Sequence, residues 1–305
     1  MDMKRKKEGA YFRKTSREGY VFISLWLTGM IIFRLFPLLY SLVCSFSDFK
    51  LFGGIRKWGI MNYSEILFQP KIITSFITTF RYALITVPLK IIAAMSAALL
   101  LNKAVKGMDF FRTVFYIPTL LGSSVGISVL WKTLFRDDGV INSLLNFIRL
   151  TPVKWLSDEN SALWVISLLR VWQFGSAMVI FLAALKSVPP ELYEAAKIDG
   201  AGKIKRFFSI TVPFMSPAVL YNIVTQTGLA LQEFNAPFII TQGGPRNSTV
   251  LISMLIYNTA FQQKEMGMAC ALTWVFLIVV SVISTLIFIS QKYWVYYNDN
   301  SQEEK

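Results

Sequence analysis

Long apolar stretches alternate with short polar ones along most of this chain. Six apolar stretches are long enough to cross about 30 Å of hydrocarbon at about 1.5 Å of helix per residue. They fall at 20–46, 75–101, 112–135, 161–185, 211–238 and 267–290. A seventh run, Val250 to Phe261, is too short to span. It follows Ser248 and Thr249, which can cap a helix, and predicts a helix lying along the interface or packed in a loop. The pattern predicts an all-α polytopic membrane protein with six transmembrane helices. The first stretch has a basic leader, but it is longer than the apolar part of a secretory signal and no small-x-small site follows it. It is therefore expected to remain as an anchor helix. The outer loops, at 47–74, 136–160 and 239–266, are too short to fold alone and read as lids on the outer mouth.

The polar segment between the fourth and fifth stretches has its own punctuation. Pro189-Pro190 cannot continue the fourth helix, and Pro190 suits the first turn of a new one. Glu191 and Glu194 then lie near the positive end of that helix, where carboxylates are favoured. Glu191, Glu194, Ala195 and Ile198 are spaced to share one face. Gly200 can take the left-handed conformation that ends a helix. Ala201–Phe208 allow a second short helix, and Pro213 marks the start of the fifth stretch. Ala195, Ala196, Gly200 and Ala201 are small enough for another protein's backbone to come close.

Composition agrees with a membrane protein: 54% of the 305 residues are hydrophobic, only 16% are charged, and mean hydropathy is +0.50. The net charge of +13 fits Lys and Arg beside anionic lipid and does not call for nucleic acid. Seventeen Lys and Arg fall in the leader, the loops 102–112 and 186–208, and the tail, against nine in the opposite loops. That bias predicts both termini, and the Glu194 loop, in the cytoplasm. Cys44 and Cys270 lie in apolar stretches and read as small core residues. Histidine is absent. Ser-His-Asp and Cys-His catalysis, His-ligated metals and His proton relays are therefore excluded, and no catalytic or metal site is expected. A Gly-x-x-x-x-Gly-Lys-Ser/Thr loop is also missing, so the chain cannot hydrolyse ATP by that chemistry.

Charges at membrane depth cost about 2.5–3.5 kcal/mol each on insertion scales, so they should face a cavity or a partner. Arg34, Arg81, Lys90 and Arg170 are such positions, and Glu233 is the one carboxylate inside a stretch. The fifth stretch is wet as well, with Asn222, Gln226, Gln232, Glu233 and Asn235. Asn222, Gln226 and Glu233 are spaced to share a helical face. With Trp172 and Gln173 of the fourth stretch and Arg34 of the first, they are candidates to line a solute pathway. The same residue types also make hydrogen bonds between membrane helices. Gly122-Ser-Ser-Val-Gly126 fits a small-xxx-small packing motif.

Glu194-Ala195-Ala196, Asp199-Gly200-Ala201, Phe207, Ile210 and Pro213 resemble the cytoplasmic loop of binding-protein-dependent ABC importer permeases. Val212 stands where that pattern prefers Leu. Phe111-Arg112-Thr113, Pro118, Trp131 and Gly139-Val140-Ile141-Asn142 resemble carbohydrate permeases of the maltose and glycerol-phosphate type. Gly243-Gly244-Pro245 with Ser248-Thr249, Tyr257, Phe261 and Gly267-Met268-Ala269 is similar to the outer loop and last span of the first of two paired sugar-permease subunits.

The resemblance implies an importer permease of the type I fold in the bacterial cell membrane. It implies a basic segment at 1–19, a first span and outer loop at 20–74, a five-helix core at 75–290 and a tail at 291–305. Within the core, 187–210 would be the coupling loop, docking Glu191, Glu194, Ala195, Ala196, Asp199, Gly200 and Ala201 on an ATPase. Gly243, Gly244 and Pro245 would face an extracytoplasmic sugar-binding protein. A second permease and two ATPase subunits would complete the assembly, with ATP and Mg on the ATPase and no cofactor on this chain. The solute would be a sugar, an oligosaccharide in the first instance. Glycerol phosphate is the alternative, with Arg34, Arg81 or Arg170 available to a phosphate. A secondary transporter would show inverted repeats and no reason to keep the Glu194 loop. A membrane enzyme would need the catalytic groups that are missing.

Overall fold

The computed structural model describes residues 19–20, 22–102, 107–122 and 124–297. The basic leader from Lys4 to Arg17 and the end of the tail from Asn298 lie outside them. Apart from three isolated β-bridges, the regular structure among the described residues is helical. Four helices are long and apolar enough to cross a membrane: α1 (Phe22–Ser45), α3 (Pro70–Leu101), α10 (Lys203–Leu231) and α12 (Met266–Trp294). Two bent pairs complete six candidate spans if each pair is one broken span: α4 (Met108–Leu121) with α5 (Val125–Leu134), and α7 (Glu159–Trp172) with α8 (Gly175–Lys186). Between these lie short helices α2 (Met61–Phe68), α6 (Val140–Phe147), α9 (Pro190–Ile198) and α11 (Ile252–Tyr257).

The chain divides into two compact units. One holds the residues up to Ile66 together with Asn258–Trp274; the other holds Leu67–Tyr257 and the residues from Val275 on. In the first unit, α1 is exposed along most of its length, with Cys44 and Ser45 buried near its end. Asn62 Nδ2 donates to the carbonyls of Ser45 and Ser47, each at 2.8 Å, and ties α2 to the end of α1. Asp48 accepts the backbone N–H groups of Lys57 and Arg56 at 2.7 and 2.8 Å, which hold its carboxyl below the usual value. Gly267 packs on this turn with no room to spare: a Cβ there would stand 2.0 Å from the Ser47 carbonyl oxygen.

In the second unit, α3 is the central post, packed against α7, α8 and α10. The core uses small residues of α3 (Ala94, Ala97 and Ala98) against Met178, Phe181 and Leu185 of α8 and Met215 of α10. Alanine lets helix backbones approach closely where lipid offers no competing hydrophobic gain.

Two predicted spans are broken. The 112–135 stretch forms α4 and α5, which meet at 104°; α4 ends at Gly122, whose φ of 54° lies outside the helical region. The 161–185 stretch forms α7 and α8, bent by 47° after Trp172. Gly175 explains how α8 begins there. A Cβ on it would lie 2.7 Å from Thr119 Oγ1 and 2.8 Å from the Phe115 carbonyl of α4. Gly175→Ala is therefore expected to destabilise the protein by about 1–3 kcal/mol through overpacking. A thermal-unfolding midpoint equal to wild type would show that α4 and α8 are not in contact.

The fifth predicted span starts too late. The helix runs unbroken from Lys203, so Pro213 is internal and the separate helix expected at 201–208 is its first part. A π-helical turn, Phe207–Thr211, absorbs the ring of Pro213 and the carbonyl it leaves unpaired. The same device, Ile31–Leu35, precedes Pro37 in α1. The 250–261 run is the short helix α11, and it packs in the interior rather than along an interface, with Leu251, Ile252, Met254 and Leu255 buried. Its first N–H is capped by Thr79 Oγ1 of α3 at 2.9 Å, not by Ser248 or Thr249.

Candidate functional site

The ends of α4, α7 and α10 meet around a cavity of about 320 Å³. Arg170 occupies the last turn of α7. Its Nε and Nη2 donate to both carboxylate oxygens of Glu233, the second contact at 2.8 Å. Its Nη1 donates to Gln173 Oε1 at 2.9 Å, and Gln173 Nε2 donates to the Gly122 carbonyl at 2.8 Å. Glu233 Oε1 also accepts the Ala236 N–H at 3.0 Å and so holds the start of the turn Pro237–Thr241. One chain of polar contacts thus satisfies two backbone groups that helix ends would leave orphaned, the Gly122 carbonyl and the Ala236 N–H. The pair is shielded, with Glu233 3% and Arg170 18% exposed.

The cavity wall holds Gln173, Gln226, Gln232, Glu233 and Asn235 of the sequence-predicted candidates. Three others are elsewhere. Asn222 is fully buried and bonds back to the Ala218 carbonyl of its own helix at 3.0 Å. Trp172 stacks on Trp131 with ring centroids 5.8 Å apart. Arg34 is exposed on α1. The expected face of Asn222, Gln226 and Glu233 fails because α10 ends at Leu231, so Glu233 is placed by the turn beyond it. Arg170 is held by Glu233 and is not a spare cation for a phosphate.

Sequence reading singled out Lys90 of α3 as a charge that should face a cavity, but missed Tyr82 and Thr86 beside it. Tyr82, Thr86 and Lys90 line the cavity at steps of four, one face of a helix. The signal was present, because Lys90 is a charge at membrane depth on a stripe with two hydroxyls. Lys90 is 8% exposed and makes no hydrogen bond or ion pair among the described residues. Glu233 and Arg170 are its charged neighbours.

Helix α9 has no buried residue. It closes in a Schellman motif: the Gly200 N–H reaches the Lys197 carbonyl at 3.1 Å and the Ala201 N–H reaches Ala196 at 2.9 Å. Gly200 has a φ of 77°. Tyr193 Oη and Thr211 Oγ1, 2.9 Å apart, fix α9 to α10. Glu191, Glu194, Ala195, Asp199 and Gly200 are exposed, while Ala196 and Ala201 are half-buried. Ile198, 87% exposed, adds an apolar contact to this surface, as do Ile204 and Phe208 of α10.

The Gly243-Gly244-Pro245 block is a tight turn. Thr249 Oγ1 donates to the Gly244 carbonyl at 2.8 Å, and a Cβ on Gly243 would meet Val250 Cγ2 at 2.7 Å. Gly243 is buried and the other two are half-buried. The exposed tip belongs to Arg246 and Asn247, with Arg246 reaching Glu159 at 3.4 Å.

A family model described as the inner membrane component of binding-protein-dependent transport systems matches residues 59–295. The chain belongs to this family. Over 302 residues the permease is 40% identical to the probable ABC transporter permease protein YesP of Bacillus subtilis (strain 168), covering 98% of this chain and 97% of that one. It is 32% identical to the arabinooligosaccharides transport system permease protein AraP of Halalkalibacterium halodurans, over 90% of this chain and 87% of that one. It is 33% identical to the lactose transport system permease protein LacF of Rhizobium radiobacter, over 88% and 92%. The fold matches that of a bacterial ABC transporter involved in the import of the acidic polysaccharide alginate, with a TM-score of 0.79 over 93% of this chain and 99% of the other at 21% identity. The permease is thus a transport component and a multi-pass membrane protein.

Proposed function

We propose that this permease is one half of the translocation pathway of an ATP-driven importer of sugars, oligosaccharides foremost. The observation that carries the reading is α9: a capped helix with no buried residue between two apolar ones, sequence-matched to the loop of importer permeases. A loop with no buried residue contributes little to this chain's own core and is available to a partner. In this reading Glu191, Glu194, Ala195, Ala196, Asp199, Gly200 and Ala201 dock on a separate ATPase, which binds ATP and Mg. A second, homologous permease supplies the other half of the pathway. The loop around Gly243–Pro245 receives a loaded sugar-binding protein, through Arg246 and Asn247 at its exposed tip.

The Lys and Arg bias supports a cytoplasmic position for both termini and α9. Four relatives' names support the sugar: arabinooligosaccharides, lactose, starch degradation products and trehalose/maltose. The Gln and Asn side chains of the cavity suit hydroxyl-rich solutes. Glycerol phosphate fits less well, because Arg170 is already neutralised by Glu233.

The test is reconstitution of the permease with its partner subunits in liposomes. Sugar accumulation should require ATP, the ATPase and the binding protein together, and the binding protein should stimulate hydrolysis. Accumulation by this chain alone, driven by an ion gradient, would replace the reading with a secondary transporter.

A further inference from the structure

The cavity carries three charged side chains, and two of them cancel. Both oxygens of Glu233 are taken by Arg170, and one also by the Ala236 N–H. No carboxylate other than Glu233 lines the cavity among the described residues. Lys90, on α3 in the same cavity wall, makes no ion pair although it is almost fully buried at membrane depth, because its anionic neighbour Glu233 is committed to Arg170. An ammonium in that position offers three donors and seeks a charge to match.

We propose that Lys90 is a specificity-determining residue that selects a carboxylate-bearing oligosaccharide, one containing uronate residues. The inference rests on the sugar-import reading above and narrows its substrate class. With Arg170 and Glu233 paired, the cavity is left with one net positive charge. A uronate carboxylate carries one negative charge and balances it. A phosphate ester near neutral pH carries about −1.5 to −2 and would overshoot. A neutral sugar would leave the ammonium uncompensated. The amides of Gln226, Gln232 and Asn235 on the same wall are then suited to the sugar hydroxyls beside the carboxylate.

The experiment uses the complete reconstituted importer and a panel of uronate-containing di- to tetrasaccharides. Each is paired with its carboxyl-reduced counterpart, which differs only in charge, and a sugar phosphate forms a third arm. The readout is the ratio of acidic to neutral uptake, which does not depend on how much assembly survives. Wild type should prefer the uronates, and Lys90→Gln should lower the ratio about tenfold, the loss of one charge-assisted hydrogen bond. Lys90→Arg should keep most of it, which separates charge from packing. An unchanged ratio in Lys90→Gln overturns the proposal. Preference of the wild type for the phosphate or the neutral sugars overturns it too. So does failure to import any of them while the binding protein still stimulates hydrolysis. If hydrolysis itself ignores the binding protein, the import reading falls and this inference with it.

Discussion

Replacing Glu233 with alanine is expected to destabilise the permease by about 3–5 kcal/mol, because it leaves the Arg170 guanidinium buried without a counter-charge. The effect exceeds that of an ordinary surface ion pair, about 0–1 kcal/mol, because water is largely excluded here. The variant also strips the Ala236 N–H of its acceptor and frees the turn at Pro237–Thr241. Glu233→Gln, which can still accept a hydrogen bond, should lose less. Arg170→Met combined with Glu233→Met should recover much of the loss, since an apolar pair carries no desolvation penalty. Thermal unfolding of wild type, Arg170→Met, Glu233→Met and their double variant in nanodiscs, treated as a double-mutant cycle, measures the coupling. A coupling energy near zero would show that the pair does not form in the membrane.

The reach of sequence reading can be judged from particular elements. The continuous helices α3 and α12 were legible because nothing but length and hydropathy decides them. The end of α9 was legible because Gly200 has a local reason to be glycine. The two broken spans were not. Gly122 reads as a packing residue, yet it terminates α4. The bend after Trp172 has no proline or local cap to announce it and depends on Gly175 meeting the backbone of α4, a contact far away in sequence. Pro213 misled in the opposite direction: a proline usually starts a helix, but a π-turn can carry one in the interior. The cavity was half legible for the same reason. The wet end of the fifth stretch pointed to Gln226, Gln232, Glu233 and Asn235. Helical spacing wrongly added Asn222 to their face, and pairing between Arg170 and Glu233 across 63 positions cannot be read from spacing at all.

Gly200→Val is expected to lower sugar accumulation more than tenfold while the partner ATPase still turns over, an uncoupled phenotype. No atom stands within 4 Å of a Cβ at Gly200, so the substitution meets no steric obstacle. Within this chain its effect must come from the backbone. At a φ of 77° a residue with a side chain costs roughly 1–2 kcal/mol, and a β-branched one sits at the upper end. That is enough to open the Schellman motif in a large share of molecules and to let the end of α9 swing relative to α10. Asparagine tolerates the left-handed region, so Gly200→Asn should transport at near wild-type rates. Glu194→Lys separates coupling from stability. Glu194 is exposed, so the change should alter stability little, about 0.5 kcal/mol at most, yet reverse a charge on the surface proposed to dock on the ATPase. Accumulation should fall as in Gly200→Val, with the assembly intact by gel filtration. Wild-type uptake by both Gly200→Val and Glu194→Lys would remove α9 from the route by which nucleotide-driven motion reaches the helices around Arg170 and Glu233.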